Sequence, residues 1–399
     1  MSRILVVATA GAGGDLQPLV AAALALRSRG HETFFVGDHS VQRVLAEVRQ
    51  ETEVLPSDLD LGPRLAGSIR DAMAATNGDL AAAGPLVQER MAVWAQQAAQ
   101  PVAAAVRRHR PTMVMTSLFG VEVLALASPP CPWVVVNSTF YIGPNPPRPP
   151  EQDFGPRALP LLSRYAALLE GADLVLHATD QVFDFSFDRL PTHHRYVGPL
   201  GIWEPHGGAP EYLDQLGDPW VLVSISSQLQ DDIPLATAAL AALARYPVRV
   251  VLTVGPDHDP REVGSIPANA RIERTISHAA VLERGRLLVS HAGHGSVMKA
   301  LWHGRPMVLV PWGRDQPGVA ARAAAIGVAE VVRREDASGE TLTLALSRAL
   351  SSETMGGAAR QHATRLQGSD PQSAAATALE ALVGPSIARR GQAGASRLE

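Results

Sequence analysis

The stretch LLVSHAGHGSVMKALWHGRPMVLVPWGRDQPGVAARAAAIG, residues 287–327, carries two strand–turn–helix units in succession. The first runs from the apolar strand RLLVSH through AGHGS into the helix SVMKALWHG, which Gly304 closes. The second runs from PMVLVP through the loop WGRDQ into a helix opened by Pro317, where a missing N–H does no harm. Strands buried on both faces and separated by helices predict a doubly wound parallel sheet. The rest of the chain repeats this rhythm. ILVVA, TFFVG, MVMTS, WVVVN and LVLHA predict a first parallel sheet; WVLVSIS, VRVVLTVG, ARIERTI, RLLVSH and PMVLVP predict a second.

A Gly- and Pro-rich run, GPLGIWEPHGGAPEYLDQLGDP, separates the two sets. The expected organisation is an N-terminal domain over 1–203, a linker over 204–217 and a C-terminal domain over 218–370. A helix over 371–384 is expected to pack back towards the N-terminal domain, with a flexible tail over 385–399. The proline-dense NPPRPPEQDFGPRALP predicts neither helix nor central strand. It reads as a plain surface loop or as a wall of a ligand cleft, and LDLGPRLAGSIRDAMAATNGDLAAAGP, which also breaks the rhythm, joins it in the second reading.

Bulk properties exclude several classes. The 399 residues carry 35 basic and 39 acidic side chains, a net charge of −4, with no basic block for nucleic acid. A single cysteine, Cys131, excludes an intrachain disulfide or a multi-cysteine metal site and suits a reducing compartment. No run approaches the roughly 20 apolar residues of a membrane span. The start, MSRILVVATAGA, reads as a buried strand rather than a cleaved signal, because its apolar run is very short and a globular helix follows at once. The expectation is a cytoplasmic protein, monomer or homodimer.

The turn between RLLVSH and its helix combines Gly293 and Gly295 with a hydroxyl, Ser296, at a helix N-terminus. Free N–H groups and the positive end of the dipole make such a turn an anion site; the same residues also make an ordinary turn and cap. His291 stands at the carboxyl end of the strand, and Asp315 and Gln316 lie in the next loop along the same sheet edge, where ligands of open α/β sheets bind. An acid beside an amide suits sugar hydroxyls.

The N-terminal turn, TAGAGGDLQPL at residues 9–19, poses a different problem. Its glycines resemble a phosphate cradle, yet Asp15 stands where the helix begins and would repel a phosphate. A dinucleotide-binding GxGxxG would also require glycine where Leu16 stands.

The run HAGHGSVMKALWHGRPMVLVPWGRDQPGVAARAAAIG resembles the donor motif of family 1 glycosyltransferases, and most of all that of actinobacterial enzymes that decorate antibiotics and other natural products. The resemblance implies the GT-B fold, two Rossmann-like doubly wound parallel-sheet domains facing across a cleft. It implies that Ser226, Ser227, His291, Gly293, His294, Gly295 and Ser296 hold the donor diphosphate and that Asp315 and Gln316 hold the sugar. RTISHAAVL matches the base-binding turn, with Thr275 and Ile276 where an aromatic often stacks. The serine loop departs from the family pattern, reading Ser226-Ser227 where a Gly-Ser pair is usual.

Asp15, three residues before Pro18, matches the family's general base. Gly13 and Gly14 then form a turn on the acceptor side, and the acid in the first turn has a purpose. The implied reaction is an inverting, metal-independent transfer from a TDP- or UDP-linked sugar to a hydroxyl of a small, aromatic or polyketide-like acceptor. No cofactor is implied beyond the nucleotide-sugar co-substrate. Asp15 could instead only cap its helix. The competing functions are an inactive homologue serving as auxiliary partner of another transferase, and a lipid- or peptidoglycan-type sugar transferase of the same fold.

Overall fold

The computed structural model describes residues 1–9, 14–48, 50–77, 80–154, 159–187, 189–202, 204, 209–227, 230, 232–255, 258–337 and 339–383. The first parallel sheet holds β1 (Arg3–Ala8), β2 (Glu32–Gly37), β3 (Thr52–Val54), β4 (Met113–Ser117), β5 (Trp133–Asn137), β6 (Leu174–His177) and β7 (His194–Tyr196). Its order is β3-β2-β1-β4-β5-β6-β7, so the winding reverses between β1 and β4. The second holds β8 (Trp220–Ser224), β9 (Arg249–Thr253), β10 (Ala270–Glu273), β11 (Gly285–Ser290), β12 (Met307–Leu309) and β13 (Ala329–Val331). Its order is β10-β9-β8-β11-β12-β13, with the reversal between β8 and β11. In such sheets the crevice lies beyond the carboxyl ends at the reversal. That rule points to the loops after β1, β4 and β5 in one lobe and after β8, β11 and β12 in the other.

Helices cover the faces. The first lobe uses α1 (Leu16–Ser28), α2 (His39–Glu47), α3 (Leu61–Ala75), α4 (Leu80–His109), α5 (Val121–Ala127), α6 (Pro150–Phe154) and α7 (Leu159–Glu170). Next come α8 (Glu211–Leu216), α9 (Ile233–Leu243), α10 (His278–Glu283) and α11 (His294–Trp302). The chain ends in α12 (Gln316–Ala325), α13 (Gly339–Ser351), α14 (Glu353–Gln367) and α15 (Pro371–Val383). Within the linker expected at 204–217, α8 packs Leu213 into the core of the second lobe. The final helix, α15, crosses to the first lobe: Ala375, Ala376 and Leu379 join the α1 core, and Glu380 pairs with Arg29 at 2.7 Å.

The proline-dense stretch departs from expectation. It contains α6, which begins at Pro150, because proline is tolerated at the first helical position, where no N–H is required. Three edge strands, β3, β7 and β13, were not anticipated; at three residues each they have no readable period.

The lobes are joined by buried charge. Arg322 of α12 is 1% exposed; its Nε donates to Asp184 at 2.6 Å and its Nη1 to Asp153 at 2.9 Å, both carboxylates of the first lobe. Its guanidinium also lies 3.7 Å from the ring centroid of Phe140. Arg365 of α14 reaches Asp180 at 2.8 Å, and His294 Nε2 meets the Thr179 hydroxyl at 2.8 Å. Removing one partner of a buried pair strands the other charge, so Arg322→Ala is expected to destabilise the protein by about 3–5 kcal/mol, read from the shift of the urea unfolding transition.

Candidate functional site

Asp15 opens α1 at the reversal of the first sheet, but its side chain makes no capping hydrogen bond to the helix. The capping reading therefore does not describe it. The carboxylate is 4% exposed and turns towards the loops after β4 and β5, where Ser138 Oγ donates to Oδ1 at 2.9 Å. Burial raises its pKa to about 6, against the opposing pull of the Ser117 and Ser138 hydroxyls and the Phe119 and Leu118 amides. None of these closes a hydrogen bond of normal geometry on Oδ2, which is buried without a partner among the described residues. Gly13 lies outside the described residues.

In the second lobe α11 starts at His294 behind Gly293, with no side-chain cap. The N–H groups of His294, Gly295 and Ser296 thus have no partner within the helix. His291 is 8% exposed, and its Nδ1 points at the Ser224 carbonyl 3.2 Å away. That contact places the ring proton on Nδ1 and leaves Nε2 facing Gly293, where a methyl group would stand 2.6 Å from it. Only glycine fits there. Burial lowers the His291 pKa, so the resting ring is neutral and Nε2 accepts. Donation from Nε2 to a phosphate requires the imidazolium, which a bound anion favours.

The two glycine turns stand face to face. A methyl on Gly14 would lie 3.7 Å from the Gly295 nitrogen, so any side chain at either position would fill the gap between the lobes.

Other expected residues are placed differently. The His294 ring leaves the turn for Thr179 and the Phe183 edge, and burial holds its pKa down near 4. Only its main chain remains at the α11 turn. The Ser226 N–H donates to Asp232 Oδ2 at 2.7 Å and is not available to a phosphate; Ser227 is half-buried beside it. Gln316 folds onto its own loop, accepting from the Trp312 and Gly313 amides at 2.8 and 3.1 Å and donating to Gln230 at 2.9 Å. Asp315, half-buried at the start of α12, accepts from Thr139 Oγ1 at 2.6 Å. Thr275 is exposed and Ile276 half-buried, in the loop between β10 and α10.

Four residues escaped the sequence reading. Ser138 and Thr139 bind the two acids, and Asp232, fully buried, holds the serine loop. Glu204 accepts from Ser277 Oγ at 2.7 Å and pairs with Lys299 of α11 at 2.8 Å. Burial pushes the Glu204 carboxyl up, but Lys299 and His278 outweigh it and hold the pKa at about 2. The available signals were faint: a polar Asn-Ser-Thr step ending β5, and an acid just before Ile233-Pro234.

Among the described residues Glu170, His193 and His194 bring possible metal ligands within 4.8 Å of one another. The tautomers oppose that use. Asn137 Nδ2 donates to the Phe140 carbonyl and to His177 Nδ1, so His177 Nε2–H donates to His194 Nδ1. The proton of His194 then sits on Nε2, and a protonated nitrogen ligates no metal.

Residues 237–382 match the family described as "Erythromycin biosynthesis protein CIII-like, C-terminal domain". The chain is 31% identical over 203 residues to 4'-demethylrebeccamycin synthase of Lentzea aerocolonigenes, covering 50% of this chain and 47% of that one. It is 26% identical over 376 residues to O-mycaminosyltylonolide 6-deoxyallosyltransferase of Streptomyces fradiae, covering 80% and 83%. The chain spans about half or less of the length of several curated relatives it matches. The spinosyn rhamnosyltransferase SpnG superposes with a TM-score of 0.67 as solved with thymidine diphosphate and 0.68 as solved with spinosyn aglycone, each at 20% identity over 96% of this chain and 100% of that one. The fold is GT-B, and the resemblance drawn from residues 291–327 to glycosyltransferases of the antibiotic-tailoring type holds.

The shifted acid carries a stability signature. An Asp whose pKa is 3.8 unfolded and about 6 folded stabilises the protein while protonated, and that contribution is lost as pH rises from about 4 through 6. Asp15→Asn does not titrate. Relative to the parent it is expected to gain on the order of 3 kcal/mol at pH 8 and nothing at pH 4, read from unfolding midpoints across pH.

Proposed function

We propose that this chain transfers a sugar from a TDP- or UDP-linked donor to a hydroxyl of a small natural-product acceptor, with inversion and without a metal or organic cofactor. The observation that carries the reading is Asp15, a buried carboxylate that makes no cap to its helix and has one oxygen without a partner among the described residues, opposite a helix N-terminus with no side-chain cap.

The chemistry divides between the lobes. The acceptor hydroxyl gives its proton to Asp15 Oδ2 while its oxygen attacks the anomeric carbon. The bond from that carbon to the donor's phosphate oxygen breaks, and the electron pair leaves with the diphosphate. Burial makes Asp15 a stronger base than an exposed aspartate, and a positioned base is worth roughly two to four powers of ten. The growing charge on the diphosphate falls on the N–H groups of 294–296, the Ser296 hydroxyl and the α11 dipole. Arg314, with a left-handed φ of 58°, stands within electrostatic reach of His291, Asp232 and Asp315 and offsets the two acids beside that seat. Asp315 orients the sugar. A single displacement inverts the anomeric centre.

Thymidine diphosphate in the SpnG complex and the deoxysugar in the Streptomyces fradiae relative's name support a TDP-linked donor. An auxiliary, inactive role leaves unexplained why an acid is held in a dry site at a cost to stability.

A thermal-shift screen of nucleoside diphosphates tests the donor half: the correct base stabilises by about 3 kcal/mol at a hundredfold excess over Kd. Asp15→Asn is expected to keep that stabilisation and lose transfer by about 10²–10⁴-fold. In the parent, kcat/KM should fall about tenfold per pH unit below pH 6. An Asn variant that turns over at the parent rate contradicts the role of Asp15.

A further inference from the structure

We propose that Asn137-Ser138-Thr139, at the carboxyl end of β5, is a positioning element that sets the spacing between Asp15 and Asp315. The inference rests on the reading of Asp15 as base and Asp315 as sugar seat. Two consecutive hydroxyls reach opposite lobes: Ser138 Oγ donates to Asp15 Oδ1 at 2.9 Å, and Thr139 Oγ1 donates to Asp315 Oδ2 at 2.6 Å. No other step of the backbone among the described residues bonds both acids.

The stretch is held from both sides. Asn137 is fully buried; its Oδ1 accepts from the Thr139 amide at 3.2 Å, and its Nδ2 donates to the Phe140 carbonyl at 2.8 Å and to His177 at 3.0 Å. Phe140, 1% exposed, packs into the second lobe beneath α12, where a methyl on Gly318 would stand 2.6 Å from its ring. The Tyr141 amide donates to Asp184 at 2.7 Å, the carboxylate that also holds Arg322. The residues flanking the two hydroxyls are thus fixed to buried groups, and the hydroxyls cannot drift. An ionised carboxylate accepts up to about four hydrogen bonds, so one bond fixes each acid without using it up. Asp15 keeps Oδ2 for the acceptor proton, and Asp315 keeps Oδ1 for a sugar hydroxyl.

Ser138 and Thr139 act through the acids and are positioning residues. Tyr165 of α7 also faces Asp15 and stays neutral in the working range, its hydroxyl pushed up to about 12 by burial and then by Asp15. Arg314, His291 and His294 face Asp315 and are left unchanged by the variants below.

The test compares Thr139→Val, Thr139→Ser, Ser138→Ala and Ser138→Thr with the parent, each first shown to unfold near the parent midpoint. Titration calorimetry measures UDP and TDP alone and the corresponding nucleotide sugars. Thr139→Val is expected to weaken the nucleotide sugar about tenfold and leave the bare nucleotide within about twofold, since the diphosphate does not touch Asp315; Thr139→Ser restores the loss. Ser138→Ala is expected to leave both affinities in place, lower kcat about tenfold and move the acid limb of kcat/KM to higher pH, because a bond favouring ionised Asp15 is gone. Ser138→Thr returns the limb. Unchanged nucleotide-sugar affinity in Thr139→Val, or an unmoved limb in Ser138→Ala, overturns the inference while transfer by the parent keeps the proposed function standing. A parent that binds neither nucleotide nor nucleotide sugar removes that function, and the inference with it.

Discussion

A guanidinium 1% exposed to solvent must have its carboxylates, and those of Arg322 belong to the other lobe. Desolvated charge is tolerable only when paired and hydrogen-bonded, so α12 cannot leave Asp153 and Asp184 without stranding the Arg322 guanidinium. This constraint carries the geometry of the cleft. It holds α12, with Asp315 at its head, against the segment after β5, and it brings the neighbouring α11 turn opposite Gly14. The proposed site is assembled from two lobes and needs such a fastening, because Asp15 and the α11 turn belong to different sheets.

The same economy of charge explains the first turn. A glycine turn at a helix N-terminus attracts anions, and an aspartate there discourages them. Here the attraction is left to α11, which has no acid in its first turn, while Asp15 turns its carboxylate away from its own helix. Burial then lifts its pKa towards the range where an acid can serve as a base. The burial that raises the Asp15 pKa also weakens the fold at neutral pH, the conflict between reactivity and stability that its proposed role as base entails.

The fold was legible because long buried strands have a clear pattern: RILVVA, WVLVS and GRLLVS could hardly be read otherwise. The α11 turn and the position of Asp15 were legible too, since strand, glycines and helix are contiguous. What escaped was non-local. Nothing near Ser138 in the chain announces Asp15, 123 residues away, and nothing near Thr139 announces Asp315, 176 residues away. His294, Ser226 and Gln316 were read by position within a motif, whereas their hydrogen bonds go to Thr179, Asp232 and Gln230, which only the packed structure reveals. The helix at Pro150 shows the converse error, a rule about helix interiors applied to a helix start.

The central claim is that the leaving diphosphate is gripped by the second lobe and the proton is received by the first. A crystal structure with the bound nucleoside diphosphate measures this most directly. The account predicts phosphate oxygens within about 3 Å of the 294–296 amides and the Ser296 hydroxyl, with Asp15 Oδ2 left open to the acceptor side. Phosphates bonded instead to the turn ahead of Asp15, with the α11 N-terminus empty, would contradict it.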